Sequence, residues 1–130
     1  MPTVFEKCAV HAYDLLSAEV TDDPHEAWRR VAPSFSDSIH VQRKPCPIAT
    51  FSGLWYAGFI NGSKPRSNYE IGRNAQYAID GIKELKRNPK LSKSQVWRRL
   101  PGTNGGSKAQ DGQMDVLFAL RQRNLIPQLA

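Results

Sequence analysis

The sequence predicts an all-α protein of about six helices, built as two duplicated three-helix units. Apolar residues recur at the three- and four-residue steps of helices, and no stretch shows the strict alternation of a β-strand. Two segments also nearly repeat, AWRRV at Ala27–Val31 and VWRRL at Val96–Leu100. The chain of 130 residues suits a single compact domain, 1–130. Units at 4–62 and 70–127 bury little core alone, so we expect them to pack about a pseudo-two-fold axis.

The first helix of each unit is predicted by a stripe of apolar residues. In the first unit the stripe consists of Phe5, Cys8, Ala9, Ala12, Leu15 and Leu16. Moving each position by 66 residues leads to Ile71, Asn74, Ala75, Ala78, Gly81 and Ile82, which keep most of the stripe. The same shift places Asp14 on Asp80. These two carboxylates either face each other or, as is more usual, lie exposed or bonded to a neighbouring helix end.

A capped helix carries each of the two repeated segments. DPHE at 23–26 combines an Asp cap, a Pro in the first turn and a Glu three residues after the cap, and SKSQ at 92–95 uses the same device. Trp28 and Trp97 each lie five residues after the cap. A short helix needs one large apolar anchor, so we expect both indoles to be buried rather than to serve as stacking platforms for bases.

The third helix of each unit precedes a residue that suits left-handed backbone. The segments 46–60 and 112–126 again align at an offset of 66, and Gly58 coincides with Asn124. Gly and Asn best tolerate the left-handed conformation beyond a helix C-terminus, where an apolar residue then follows. The glycine-rich segment 102–112 is predicted to be a flexible loop.

The middle and closing motifs resemble those of a family of small uncharacterised bacterial proteins. In that family a Cys-Pro-x2-Thr-Phe-x-Gly-Leu motif is followed by Gly-x-Ile, and a Gln-Met-Asp-Val segment lies near the C-terminus. The corresponding residues here are Cys46, Pro47, Thr50, Phe51, Gly53, Leu54, Gly58, Ile60, Gln113, Met114, Asp115 and Val116. The resemblance covers most of the chain. It implies a bacterial or phage cytosolic origin and no particular activity.

The charge and composition of the chain limit the partners and the cell compartment that we expect for it. The chain carries 18 Lys and Arg against 12 Asp and Glu, a net charge of +6, which favours encounter with polyanions. The N-terminus lacks the basic start and apolar run of a signal peptide, and the apolar stretch at 48–60 is too short to span a bilayer. Cys8 and Cys46 fit free thiols in a reduced compartment. We therefore expect a cytoplasmic protein with no membrane association.

Basic residues are the leading candidate site. They predict non-enzymatic binding of nucleic acid through its phosphate backbone, because the guanidinium fork fits phosphate oxygens. The candidate residues are Arg29, Arg30, Arg98, Arg99, Arg43, Lys44, Lys64 and Arg66. A second explanation stays open for the two arginine pairs, since cations in the last turn of a helix offset the negative end of its dipole. A solvated helix face explains the cations of 83–93.

A protein adaptor is the alternative prediction. In this interpretation aromatic residues left exposed around the end of the third helix dock a protein partner, such as a larger bacterial or phage complex. The candidates are Trp55, Tyr56 and Phe59.

Catalysis, metal binding and cofactor binding have little support in the sequence. The histidines lie in no known pattern with Ser or carboxylates, and TNGGSK at 103–108 lacks the spacing of a phosphate-binding loop. Cys8, His11, His40 and Cys46 would make a Cys2His2 zinc set, but their spacing is unusual for zinc ligands. Cys46 is the one credible reactive thiol, because a helix N-terminus lowers a thiol pKa. We expect no enzymatic activity, no metal and no cofactor.

Overall fold

Seven α-helices and three short 3-10 turns make up the molecule, and no strand is present. The computed structural model describes all residues, 1–130. The helices are α1 (Val4–Ser17), α2 (Pro24–Val31), α3 (Ile39–Gln42), α4 (Pro45–Tyr56), α5 (Arg73–Arg87), α6 (Lys93–Arg99) and α7 (Gln113–Gln122). The prediction of an all-α protein is confirmed. Helix α3 is a single turn capped by Ser38 and adds to the six helices that the sequence predicts.

The predicted helix starts at Asp23 and Ser92 are present. The Asp23 carboxylate accepts a hydrogen bond of 2.9 Å from the backbone N–H two residues later, and Ser92 forms a complete capping box with Gln95. The start at Asp23 departs from the prediction in one respect, because Glu26 does not accept the Asp23 N–H directly. The Asp23 N–H donates to the Thr21 hydroxyl oxygen, the Thr21 hydroxyl donates to Glu26 at 2.7 Å, and the other Glu26 oxygen binds Arg30.

Helices α4 and α7 end in the same backbone motif. Gly58 and Asn124 adopt left-handed φ angles of +84° and +58°. In each ending the next N–H, of Phe59 or Leu125, donates to the carbonyl five residues earlier at 2.9 Å, which is the Schellman arrangement. The N–H of Asn61 donates to the Leu125 carbonyl at 2.7 Å, so the two endings lie side by side. The left-handed backbone expected at Gly58 and Asn124 is confirmed.

The two tryptophans of the repeated segments are core residues. Trp28 is 1% exposed and Trp97 is 3% exposed. The Trp28 ring packs against Phe51 of α4 with ring centroids 5.8 Å apart, and Trp97 packs against Tyr77 of α5 at 4.9 Å. The Trp97 indole also donates to the Lys108 carbonyl at 2.5 Å. The predicted role of both tryptophans as buried anchors is confirmed.

Helix α7 lies at the centre of the packing. It contacts α1, α4, α5 and α6, while α1 packs on α2, α5 packs on α6 and α4 packs on α5. The first and second helices of each predicted unit therefore pair, and the third helices join the pairs into one hydrophobic core. The duplication itself stays a prediction. None of the helices combines the length and apolar character that a membrane span requires.

An ion-pair cluster joins the N-termini of α1, α6 and α7. Lys93 Nζ lies 3.1 Å from Glu6 Oε1 and 3.0 Å from Asp115 Oδ1, and the Thr3 hydroxyl donates to Asp115 Oδ2 at 3.1 Å. Burial acts to raise the pKa of Glu6, but hydrogen bonds from the Thr3 backbone and from Lys93 outweigh it and lower the pKa. The assignment of the cations of 83–93 to a solvated face is therefore wrong for Lys93, because three helix starts converge on it.

Candidate binding cleft and basic clusters

A cleft of about 870 Å³ lies between the α1–α2 loop and the loop that follows α4. The cleft has an aromatic floor and two charged sides. The floor is Tyr13, Trp55 and Tyr56, the acidic wall is Glu19, Asp22 and Asp23, and the basic wall is Lys64 and Arg66. Two predicted phosphate-binding cations and two aromatics named for the adaptor alternative thus line one cavity.

The basic wall is anchored to the end of α4. Pro65 packs against Gly58, where a Cβ would come within 2.8 Å of the proline ring. The Arg66 N–H donates to the Tyr56 carbonyl at 2.9 Å, and the Arg66 guanidinium lies 3.8 Å from the centre of the Tyr56 ring. A cation over an aromatic face is attracted by the ring quadrupole. The loop therefore presents Lys64 and Arg66 from a fixed base.

The acidic wall is anchored to the end of α1. Glu19 has a left-handed φ of +59°, and the Val20 N–H donates to the Leu15 carbonyl at 3.0 Å, as in a Schellman ending. Further along, the Asp23 N–H donates to the Thr21 hydroxyl oxygen at 3.2 Å. These backbone contacts hold the carboxylates of this wall without neutralising them.

Two polar groups of the aromatic floor have no partner within the protein. The Tyr56 hydroxyl and the Trp55 indole N–H make no protein hydrogen bond, and no buried polar side-chain atom is left unpaired. Both groups therefore reach solvent. Burial raises the pKa of Tyr56, Arg66 opposes that rise, and Asp23 and Asp22 add to it. The hydroxyl thus lies within the influence of both walls.

Six of the eight predicted cations are exposed and have no acidic partner. They are Arg29, Arg43, Lys64, Arg66, Arg98 and Arg99. The other two are ion-paired, since Arg30 lies 2.7 Å from Glu26 and Lys44 lies 2.5 Å from Asp111. The two arginine pairs end α2 and α6, and α2 packs on α1 and α4 whereas α6 packs on α5 and α7. The eight residues therefore occupy several clusters rather than one patch.

Trp55 and Tyr56 do not form the exposed patch that the adaptor alternative requires. They are 5% and 8% exposed, and Phe59 is half-buried. Helix α4 packs against α2, α5 and α7, so its aromatic rings turn inward, and Trp55 meets Tyr13 of α1 edge-on at 6.5 Å. Trp55 and Tyr56 therefore do not meet the condition of exposure that the adaptor alternative sets, and they contribute only small exposed areas to the cleft.

Cys46 is held as a thiol rather than activated. It lies in the first turn of α4, where the helix dipole favours a thiolate. Burial raises its pKa, and the nearby Asp111 carboxylate raises it further against the weaker opposing charges of Lys44 and Lys108. The expectation of a lowered pKa is therefore wrong, because a carboxylate from the loop before α7 faces the sulfur.

Alkylation of Cys46 by iodoacetamide is expected to be slower than that of free cysteine near neutral pH, because the thiolate is the reactive form. Asp111→Asn removes the carboxylate that raises the pKa and should accelerate the reaction. Peptide mass spectrometry over a pH series measures both rates and uses buried Cys8 as the internal control. Equal rates for the wild type and Asp111→Asn would show that the carboxylate does not control the thiol.

A family model described as a family of unknown function, DUF6979, matches residues 2–127. The chain belongs to this family. That membership agrees with the expected resemblance to an uncharacterised family. Comparisons with curated proteins and with solved structures found no match.

In this DUF6979 chain the polar residues of the two quoted motifs have structural partners. The Thr50 hydroxyl donates to the Cys46 carbonyl within α4 at 2.8 Å. The buried Gln113 amide donates to Asn74 of α5 at 2.9 Å, and Asp115 binds Lys93 in the ion-pair cluster. These motif residues hold helix ends and loops in place.

The structure brings Ser52, His25 and Asp23 together, which the sequence analysis misses because they come from different parts of the chain. Ser52 Oγ lies 3.3 Å from His25 Nδ1, and Asp23 Oδ1 lies 3.7 Å from the same nitrogen. A hydrolytic triad uses one ring nitrogen for the serine and the other for the carboxylate. Here both partners contact Nδ1, and Ser52 is buried. The three side chains therefore lack the arrangement of such a triad, and the contact serves to join α2 to α4.

The remaining candidate pairs do not assemble. Asp14 lies 3.8 Å from Arg123 at the end of α7, whereas Asp80 accepts a hydrogen bond from Gln76 on its own helix. Of the two alternatives for these carboxylates, the facing pair is wrong and the helix-end contact is found for Asp14.

The four residues of the zinc alternative do not gather into a site either. No group of three or more His, Cys, Asp or Glu side chains is arranged to hold a metal ion. Burial raises the pKa of Cys8 to about 11, and the His11 ring packs on Phe35 at 4.8 Å.

Proposed function

We propose that the protein is a non-enzymatic module that binds nucleic acid through the phosphate backbone. The observation that carries the proposal is the set of six exposed cations without acidic partners, Arg29, Arg43, Lys64, Arg66, Arg98 and Arg99. Unpaired guanidinium and ammonium groups bind phosphate oxygens and release the counterions condensed on a nucleic acid. No base-reading element is part of the proposal.

The distribution of acidic partners supports a role for these cations. Carboxylates neutralise some of the other basic side chains at ion-pair distance, including those of Lys83, Arg87 and Arg123. The cations that are also exposed without an acidic partner are Lys7, Arg73, Lys86 and Lys90. The six proposed cations stay free, and five of the six are arginines, whose planar fork matches phosphate. The arginines at the ends of α2 and α6 also offset the negative ends of those helix dipoles, which accounts for part of their presence there. Arg43, Lys64 and Arg66 lie outside α2 and α6, so these two dipoles do not account for them.

The number of cations that contact phosphates at the same time predicts how binding should depend on salt. A long polyanion can touch several clusters at once, and each phosphate that the protein neutralises adds about 0.9 to the slope of log affinity against log salt. Six neutralised phosphates correspond to a loss of about 10³-fold in affinity between about 50 and 200 mM salt, and three to about 40-fold.

The triple variant Arg29→Gln, Arg98→Gln, Arg99→Gln is expected to bind nucleic acid more weakly and with a shallower salt dependence. The slope should fall by about 0.9 for each phosphate that the variant no longer neutralises. Fluorescence anisotropy with labelled single- and double-stranded DNA at two salt concentrations measures both quantities.

The matched control is Lys83→Gln, Arg87→Gln, Arg123→Gln, which removes the same charge from three ion-paired positions. It should keep most of the wild-type salt slope. Salt-independent or undetectable binding by the wild type contradicts the proposal. If the two triple variants bind nucleic acid equally weakly, net charge alone explains the loss of affinity, and the assignment of binding to particular residues is contradicted.

A further inference from the structure

We propose that the cleft between the α1–α2 loop and the loop after α4 binds a small zwitterion. The acidic wall takes the ammonium group of the ligand and the basic wall takes its carboxylate or phosphate. The two proposals share Lys64 and Arg66, but the nucleic-acid test varies Arg29, Arg98 and Arg99, which lie outside the cleft lining, so the two are tested separately.

Opposite charges are kept apart across the cleft. No ion pair within 4 Å joins Asp22 or Glu19 to Lys64 or Arg66, although the protein forms ion pairs in many other places. The Asp23 carboxylate forms no ion pair with Lys64 or Arg66, but it caps α2 by accepting from the His25 backbone N–H at 2.9 Å and lies 3.7 Å from the His25 ring. Unpaired charges of both signs in one cavity are complementary to a ligand that carries both signs.

Both walls are held in position before a ligand arrives. The α1 ending and the Thr21 contact fix the acidic wall, and the Tyr56 carbonyl and ring fix Arg66. Preorganised groups lose little conformational freedom when they bind. The separation between the walls therefore sets which length of ligand fits.

The alternatives fit the cleft less well. A nucleic-acid strand inside the cleft would bring its phosphates beside three carboxylates, which repel them. A metal ion needs converging ligands, and no group of three or more acidic, His or Cys side chains converges in the structure. The volume of about 870 Å³ is within the range of small-molecule sites. The Trp55 and Tyr56 rings, which line the cleft, offer apolar surface to the methylenes between the two charged ends of a ligand.

The experiment uses γ-aminobutanoate as the zwitterionic probe, with β-alanine and ε-aminohexanoate to vary the length. Butanoate lacks the ammonium group and butylamine lacks the carboxylate. Nitrogen–proton correlation NMR follows the indole N–H peak of Trp55, which Trp55→Phe assigns. At least one zwitterion should shift this peak saturably below about 10 mM, and its truncated analogues should bind about three- to five-fold more weakly.

Two variants test the contributions of the acidic wall and the basic wall separately. Asp22→Asn should reduce the difference in affinity between the best zwitterion and its ammonium-free analogue, and Lys64→Gln should reduce the difference between that zwitterion and its carboxylate-free analogue. The control is Lys86→Gln, at an exposed cation of α5 that does not line the cleft. It should leave the differences in affinity between the zwitterion and its two truncated analogues unchanged.

Two results would overturn the zwitterion proposal. One is the absence of a saturable shift with every zwitterion, and the other is equal binding of a zwitterion and its two truncated analogues. Either result leaves the nucleic-acid test intact, because that test varies Arg29, Arg98 and Arg99, which do not line the cleft.

Discussion

Trp28→Ala and Trp97→Ala are each expected to lower the free energy of unfolding by about 3–5 kcal/mol. Each indole is nearly fully buried and anchors a short helix, of eight residues for α2 and seven for α6. Truncation removes buried apolar surface and leaves a cavity that a close-packed core fills only in part. Urea denaturation followed by circular dichroism measures the decrease.

Phenylalanine at the two positions gives a milder comparison in case the alanine variants fail to fold. Trp97→Phe removes the hydrogen bond from the indole to the Lys108 carbonyl, whereas the Trp28 indole makes no such bond. Trp97→Phe should therefore cost about 1 kcal/mol more than Trp28→Phe. The exposed Arg29→Gln serves as the control and should change stability by less than about 0.5 kcal/mol. A decrease below about 1 kcal/mol in Trp28→Ala would contradict its role as an anchor.

Gly53→Ala is expected to destabilise the protein by about 2–3 kcal/mol, although alanine is the better helix former. Gly53 lies inside α4 where α4 crosses α5, and an added Cβ would overlap the Cβ of Ala75. Neither backbone can yield without separating the two helices. The tertiary packing therefore reverses the sign that helix propensity alone would give.

A double variant tests this explanation of Gly53. Ala75→Gly removes the opposing Cβ, so Gly53→Ala combined with Ala75→Gly should recover most of the stability despite the intrinsic cost of a helical glycine. Gly72→Ala is the control, because a Cβ at Gly72 meets nothing within 4 Å and its φ is −78°. Thermal denaturation compares the set. Additive destabilisation in the double variant would show that the two residues are not coupled.

The helical architecture could be predicted from the sequence because its signals are local. The caps at Asp23 and Ser92 and the left-handed endings at Gly58 and Asn124 depend on a few neighbouring residues. The burial of Trp28 and Trp97 follows from helix patterning in the same way. The close approach at Gly53 depends instead on where α4 crosses α5, which no local pattern contains.

The cleft could not be predicted because two distant loops form it. Lys64 and Arg66 stood out from the sequence as cations, yet their position opposite Asp22 depends on how the loop after α4 packs beside the start of α2. The same reason explains Cys46, whose pKa is raised by burial and then by Asp111, which comes from a segment far along the chain. When distant segments bring charged residues together, no pattern among neighbouring residues in the sequence indicates it.

The central place of α7 has a consequence for the order in which a newly made chain can mature. Helix α7 leaves the ribosome after the other six α-helices described above, yet α1, the first of the seven, packs against it. The face of α1 that α7 covers must wait for residues 113–122 before it is shielded from water. Contacts that close so long a loop form late, so a nascent chain keeps part of its apolar core uncovered until α7 has been synthesised.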